Sequence, residues 1–148
     1  MSNVLYNHLK NSCKIISSAN LLDFGCGTGL SGEIGWECNL VCYEPIENMR
    51  KQALEKGLKV LDYLEFCALP NNYFDYVISS YVFHMGINEK HIDLLANKVK
   101  TGGIVIANFY KGINSEYITK LFIENGFCAK ELKGCEKRFG YIYEYRKK

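Results

Sequence analysis

The chain has 148 residues and nearly balanced charge, 18 Lys+Arg against 16 Asp+Glu, for a formal net charge of +2. That length suits one compact domain, and a hydrophobic fraction of 48% with only two prolines excludes a disordered or fibrous chain. The small charge excess offers no field for nucleic acid, and neither a signal-like start nor an apolar run near the ~18 residues of a membrane span is present, so a soluble, cytoplasmic protein is expected, with no nucleic-acid and no membrane partner.

The predicted elements alternate. Ser2 caps a first helix whose Val4, Leu5, His8 and Leu9 share a face, and residues 19–24 form a strand running into Gly25-Cys26-Gly27-Thr28-Gly29. A brief helix follows, then a second strand at 40–43. Pro45 opens the next helix, with Ile46, Met49, Ala53 and Leu54 along one side and Gly57 as its stop. A third strand is placed at 58–61 and a fourth at 74–81, after the Pro70-Asn71-Asn72 turn. Asn88 caps a helix bearing Ile92, Leu95, Ala96 and Val99, and Thr101-Gly102-Gly103 ends it before a fifth strand at 104–109. A last helix carries Ile118, Leu121 and Phe122, closes at Gly126, and leads to a strand pair at 127–132 and 141–145. Strands alternating with helices predict an α/β fold: a Rossmann-like, doubly wound, mostly parallel sheet of about seven strands with helices on both faces and an antiparallel pair at the carboxyl end. Residues 1–18 form a cap helix on a single domain, 19–109 its core and 110–148 its terminal helix and strands. The seven cysteines, Cys13, Cys26, Cys38, Cys42, Cys67, Cys128 and Cys135, make an odd number without a Cys-x-x-Cys pair, which argues against a disulfide framework or a zinc knuckle.

Chemistry concentrates at residues 21–29, where a strand carrying Asp23 turns through three alternate glycines. Such a turn is either a plain strand-to-helix connection or a place where backbone approaches a ligand. Gly27-Thr28-Gly29-Leu30-Ser31-Gly32 also satisfies the G-x-G-x-x-G pattern of dinucleotide sites. A pyrophosphate beside Asp23 meets repulsion, whereas S-adenosylmethionine, cationic at its sulfonium and amino groups and free of phosphate, is attracted. Glu44 ends the second strand nineteen positions beyond Gly25, near the interval of a ribose-binding acid; otherwise it is a solvated loop acid.

Residues 21–29, with Tyr43-Glu44-Pro45 followed by Met49, resemble the first two motifs of the class I S-adenosylmethionine-dependent methyltransferases. Glu65, four residues before Leu69-Pro70, resembles the family's adenine acceptor, with Phe66 beside it and Ile46 over the ring. Phe74-Asp75-Tyr76-Val77-Ile78 resembles the fourth-strand motif, and Lys100-Thr101-Gly102-Gly103 the Lys-Pro-Gly-Gly turn, with Thr101 in place of proline. Where members commonly show a His pair, this chain has His84-Met85. The resemblance implies S-adenosylmethionine as cofactor, leaving S-adenosylhomocysteine, with Asp23, Gly25, Cys26, Gly27, Gly29, Glu44, Pro45, Ile46, Met49, Glu65, Phe66 and Ser80 as its binding residues.

Methyl transfer from a sulfonium needs alignment above all, and a base only where the acceptor must lose a proton. His84 is the candidate base, and Tyr81 and Tyr110, also near strand ends, are candidates to shape or polarise the acceptor; the plain alternatives are a strand-end histidine hydrogen-bonded to backbone and tyrosines that only pack. Without the Asn/Asp-Pro-Pro-Tyr/Phe or Pro-Cys signatures of DNA-base methylation, and without a convergent metal-ligand set, a metal-free small-molecule acceptor is expected. The alternatives are a non-catalytic S-adenosylmethionine-binding partner subunit and, further off, an NAD-binding domain.

Overall fold

The computed structural model describes residues 3–132 and 141–148. Helix α1 (Asn3–Ser12) precedes β1 (Asn20–Phe24). A 3-10 turn (Leu30–Ile34) stands where the brief helix was expected, followed by β2 (Asn39–Tyr43), α2 (Glu47–Glu55), β3 (Val60–Leu61), α3 (Tyr63–Ala68) and β4 (Phe74–Ser80). After another 3-10 turn (Phe83–Met85) come α4 (Glu89–Lys98), β5 (Val99–Phe109), α5 (Ser115–Glu124), β6 (Phe127–Glu131) and β7 (Tyr141–Lys147).

The seven strands form one sheet in the order β3-β2-β1-β4-β5-β7-β6. Neighbours from β3 through β5 are parallel, whereas β7 runs antiparallel between β5 and β6. Alternation along β1 sends Leu22 and Phe24 into the core shared with α4 and α5, and Leu21 to the opposite face beneath Leu5 and Leu9 of α1. The sheet is thus covered on both faces, as the expected Rossmann-like fold requires. From β1 the chain winds outward to β2 and β3, and from β4 to β5, so the topological switch falls between β1 and β4. In such sheets the ligand crevice opens at the strands' carboxyl ends beside that point.

Several expectations change. Ser2 and Cys135 lie outside the described residues, as does the side chain of Val4. Pro45 does not open α2: Ile46 is extended at the N-cap position and helical residues begin at Glu47. Of the predicted α2 face only Ala53 is buried, while Ile46, Met49 and Leu54 remain exposed. Strand β3 has two residues rather than four. Tyr81 leaves β4 with φ +57°, so that strand stops at Ser80. Helix α4 ends at Lys98, and Thr101-Gly102-Gly103 lie inside β5 opposite a register shift between Phe74 and Tyr76. A side chain at Gly103 would crowd the Lys100 carbonyl, 2.8 Å from its Cβ, which explains glycine within the strand.

Helix α3 was not foreseen. Asp62 accepts from the Glu65 backbone N–H at 2.9 Å, and Glu65 Oε1 accepts from the Asp62 N–H at 3.1 Å, a reciprocal cap that starts this short helix. Lys98, buried, closes its other end by donating to the carbonyls of Cys67 and Leu69.

Candidate active site

The end of β1 is tied to β2 through backbone. The N–H groups of Gly25 and Cys26 both donate to the Tyr43 carbonyl, at 2.8 and 3.1 Å, so the chain must reverse at once. Gly25, Gly27 and Gly29 accomplish this with φ of +80°, +58° and +90°. Their surroundings differ. A Cβ at Gly25 would strike Val82, and one at Gly29 would come within 2.6 Å of Leu58 Cδ1, whereas one at Gly27 meets nothing within 4 Å. Two of the glycines therefore serve packing, and the middle one borders open space.

Glu44 is 5% exposed and faces that turn. Its Oε1 accepts from the Gly27 N–H at 2.9 Å and its Oε2 from the Ile46 N–H at 3.0 Å, so one carboxylate braces the glycine turn against the start of α2. Each oxygen retains a free acceptor direction. Arg50 does not neutralise it, because Nη1 donates instead to the carbonyls of Glu44 and Pro45 at 2.9 and 3.1 Å.

Asp23 is fully buried on the α1 face of β1. Its Oδ2 accepts from the Tyr6 hydroxyl at 3.3 Å, and its Oδ1 has no hydrogen-bond partner. Burial pushes this carboxyl up to about 6, the charge of Glu44 adds to the shift, and the Ser31 and Tyr6 hydroxyls oppose it. The same burial, with Asp23 beside it, drives the Tyr6 hydroxyl far above the usual phenol range. An orphaned acid next to a second acid marks a place where positive charge is favoured.

Beside the turn lies a cavity of about 490 Å³ lined by Phe24, Gly25, Gly27, Tyr43, Glu44, Pro45, Ile46, Met49, Ser80, Tyr81, Val82, Met85, Ile87 and His91. Glu44 is the one carboxylate among these residues, and none of them is a lysine or an arginine. Of the residues singled out from sequence, the cavity gathers Gly25, Gly27, Glu44, Pro45, Ile46, Met49, Ser80 and Tyr81. The exposed side chains of Ile46 and Met49 are thereby accounted for, since both line the cavity, whereas Ala53 packs into the core and Leu54 is exposed off the cavity wall.

Other expected positions stand back from the cavity wall. Asp23 lies beneath the turn, and Cys26 packs with Cys42 behind it, where the neighbouring thiol and burial raise the Cys26 thiol's pKa. Gly29 fits against Leu58. Glu65 is engaged in its helix cap. Phe66 is buried and stacks on Tyr43 with ring centroids 4.8 Å apart, backing the wall without facing the space. His84 and Tyr110 also lie off the wall, but with Tyr81 they form an aromatic group, the His84 ring being 6.4 Å from Tyr81 and 5.9 Å from Tyr110. Tyr81 is kept in its left-handed conformation by Asn108 on β5, whose Oδ1 accepts from the Tyr81 N–H at 2.7 Å. Burial raises the Tyr81 hydroxyl's pKa, and the Asn108 side chain moderates the rise.

Tyr6, Phe24, Tyr43, Val82, Met85, Ile87 and His91 were missed as site residues. Tyr43 and Phe24 flank the motifs and were within reach of the sequence; Tyr6 and His91 come from helices distant in the chain. Among the described residues no group of three or more His, Cys, Asp or Glu is arranged to hold a metal ion, and no helix is long and apolar enough to cross a membrane.

A parallel sheet with its switch beside β1, a glycine turn braced by an acid and a cavity lined without lysine or arginine define a Rossmann-like ligand-binding domain. Residues 22–107 match the methyltransferase domain family. The chain belongs to that family; it is a class I S-adenosylmethionine-dependent methyltransferase, with S-adenosylmethionine as cofactor.

Solved structures with the same fold include the YcgJ protein of Bacillus subtilis, 12% identical over 99% of both chains with a TM-score of 0.76. An S-adenosylmethionine-dependent methyltransferase of Archaeoglobus fulgidus is 18% identical over 99% of this chain and 95% of its own, with a TM-score of 0.72. The magnesium protoporphyrin IX methyltransferase of Synechocystis, solved with bound cofactor, is 17% identical over 99% of this chain and 77% of its own, with a TM-score of 0.71. No curated protein matches the sequence significantly.

The residues present fit this cofactor. Glu44 retains acceptor capacity for ribose hydroxyls, Gly27 leaves space where a side chain would intrude, and Asp23 supplies a buried, incompletely bonded acid suited to a cationic guest.

Proposed function

We propose that this methyltransferase transfers its methyl group to a small-molecule acceptor by in-line displacement at the carboxyl end of β4. The carrying observation is the junction of Glu44 with Gly27 at the edge of a cavity without lysine or arginine. When bound, S-adenosylmethionine supplies a methyl group already activated on a sulfonium.

The protein's part is alignment and exclusion of water. Glu44 would accept from the ribose hydroxyls, its orientation fixed by its bonds to Gly27 and Ile46, and Ile46 and Met49 would offer the adenine an apolar face. Asp23, from beneath the turn, contributes negative potential. Ser80 and Tyr81 stand where β4 ends, and the aromatic group of Tyr81, His84 and Tyr110 flanks the acceptor side. Holding donor and acceptor in line contributes ~7–11 kcal/mol where the geometry is met.

Calorimetry with S-adenosylmethionine, followed by incubation of the labelled cofactor with a metabolite extract, tests the reading. Label on a low-molecular-weight compound supports it; label confined to protein or nucleic acid overturns it.

A further inference from the structure

We propose that Asn114 is a positioning residue for the cofactor cavity: it forgoes capping α5 and instead holds the Phe83–Met85 turn that walls the cavity opposite the glycine turn. The inference rests on the reading above, in which that cavity holds S-adenosylmethionine.

The chain places an asparagine at the N-cap position of both α4 and α5 and uses the two differently. Asn88, extended with φ −78°, accepts from the His91 N–H at 3.0 Å and so satisfies one of the donors left unbonded at a helix start. Asn114 is left-handed, with φ +63°, and makes no side-chain cap bond. Its Nδ2 donates to the His84 carbonyl at 3.0 Å, thirty positions back along the chain. A local bond is given up, and a sparsely populated backbone conformation adopted, for one contact between two loops.

Strain of this kind gathers at one end of the sheet. Among the described residues four that are not glycine have positive φ, and three of them, Tyr81, Lys111 and Asn114, lie in the segments that follow β4 and β5. There the ligand crevice of a parallel sheet opens. Such conformations persist only where surrounding contacts impose them.

What Asn114 holds is one wall of the cavity. Phe83 anchors the turn from beneath: it is fully buried, its ring 5.9 Å from those of Phe24 and Phe122 and 6.0 Å from that of Phe109. Val82 and Met85 line the cavity, and Val82 stands directly against Gly25 of the glycine turn. Met85 is 68% exposed, so core packing does not fix its place. The bond from Asn114 to its chain neighbour His84 does. Losing that bond leaves Phe83 in the core, and with it the fold, but frees the Met85 end of the wall.

The test uses the full chain and two variants. Asn114→Gly keeps the left-handed backbone and loses the donor; Asn114→Asp loses the donor and offers α5 a capping carboxylate. By calorimetry S-adenosylhomocysteine is expected to bind each variant about fivefold more weakly than wild type. Thermal midpoints should stay within about 4 °C of wild type or rise, and the carbonyl carbon resonance of His84 should move in both. Unchanged affinity in either variant, midpoints that fall further than this together with affinity, or a His84 carbonyl indifferent to the substitutions overturns the proposal. Absence of S-adenosylhomocysteine binding to wild type, or binding that ignores Glu44→Ala, instead defeats the underlying reading of the cavity, so the two failures are told apart.

Discussion

The hydroxyl of Tyr6 on α1 stands 3.3 Å from Oδ2 of Asp23 on β1, both residues being almost completely buried. At that length the bond is weak for an O–H donor and a carboxyl, and the Ser31 hydroxyl joins it in favouring the charged acid. The amino-terminal helix is thereby linked to the underside of the glycine turn. Tyr6→Phe is expected to cost about 1 kcal/mol in chemical denaturation at neutral pH and to raise the Asp23 pKa further. In an Asp23→Asn background the cost should shrink, because the charge it answered is gone.

The pH dependence of stability follows from the same acid. Asp23 titrates at 3.8 when unperturbed and at about 6 in the fold, so the folded state holds its proton more tightly. Its contribution is complete below the unfolded pKa and is lost as pH rises through the folded one. A shift of this size corresponds to about 3 kcal/mol. Denaturation midpoints should fall between pH about 4 and about 6, and Asp23→Asn should flatten that slope. Binding of the cationic cofactor should strengthen over the same interval, as calorimetry at its two ends would reveal.

Loss of the second acid should act on the ligand. Glu44→Ala removes the proposed acceptor for the ribose hydroxyls and the brace on Gly27 and Ile46, and S-adenosylmethionine affinity is expected to drop by roughly 1.5–3 kcal/mol, about 10–150-fold. Calorimetry on a variant with an unchanged circular dichroism spectrum checks this. Unchanged affinity would remove Glu44 from the site.

Two glycines in one turn should respond oppositely. Gly25→Ala drives a methyl group into Val82 from a left-handed backbone, and a stability loss of about 1–3 kcal/mol is expected, recovered in part by Val82→Ala. Gly27→Ala meets open space, so its structural cost is limited to about 1–2 kcal/mol of backbone strain. Its new methyl group borders the cavity, and the larger loss should appear in cofactor affinity. Thermal melts paired with calorimetry separate the two effects.

Much of the fold was readable because its signals are local. The apolar run ahead of Gly25, the Asn88 cap with Ile92, Leu95 and Ala96 behind it, and the stop at Gly126 each depend on residues within a turn or two of one another. The two-residue β3 is too short to show a period. Helix α3 announced itself only through Asp62-x-x-Glu65, a cap signature whose Glu65 the resemblance assigns to the adenine. The end of α4 was misplaced because Gly102-Gly103 resembles a stop, whereas β5 uses glycine to pass the Lys100 carbonyl beside a bulge.

By itself the sequence determined the alternation of elements, the left-handed turn that only glycines make cheaply, and the acid at the end of β2, since each follows from backbone sterics and short-range periodicity. Tertiary structure alone decided that Ile46 and Met49 face a cavity, that Tyr6 meets Asp23, and that His91 rather than His84 lines the wall. Spacing along a helix tells which side chains share a face. What that face meets depends on how distant elements dock, and docking is settled by the whole sheet and its packed helices.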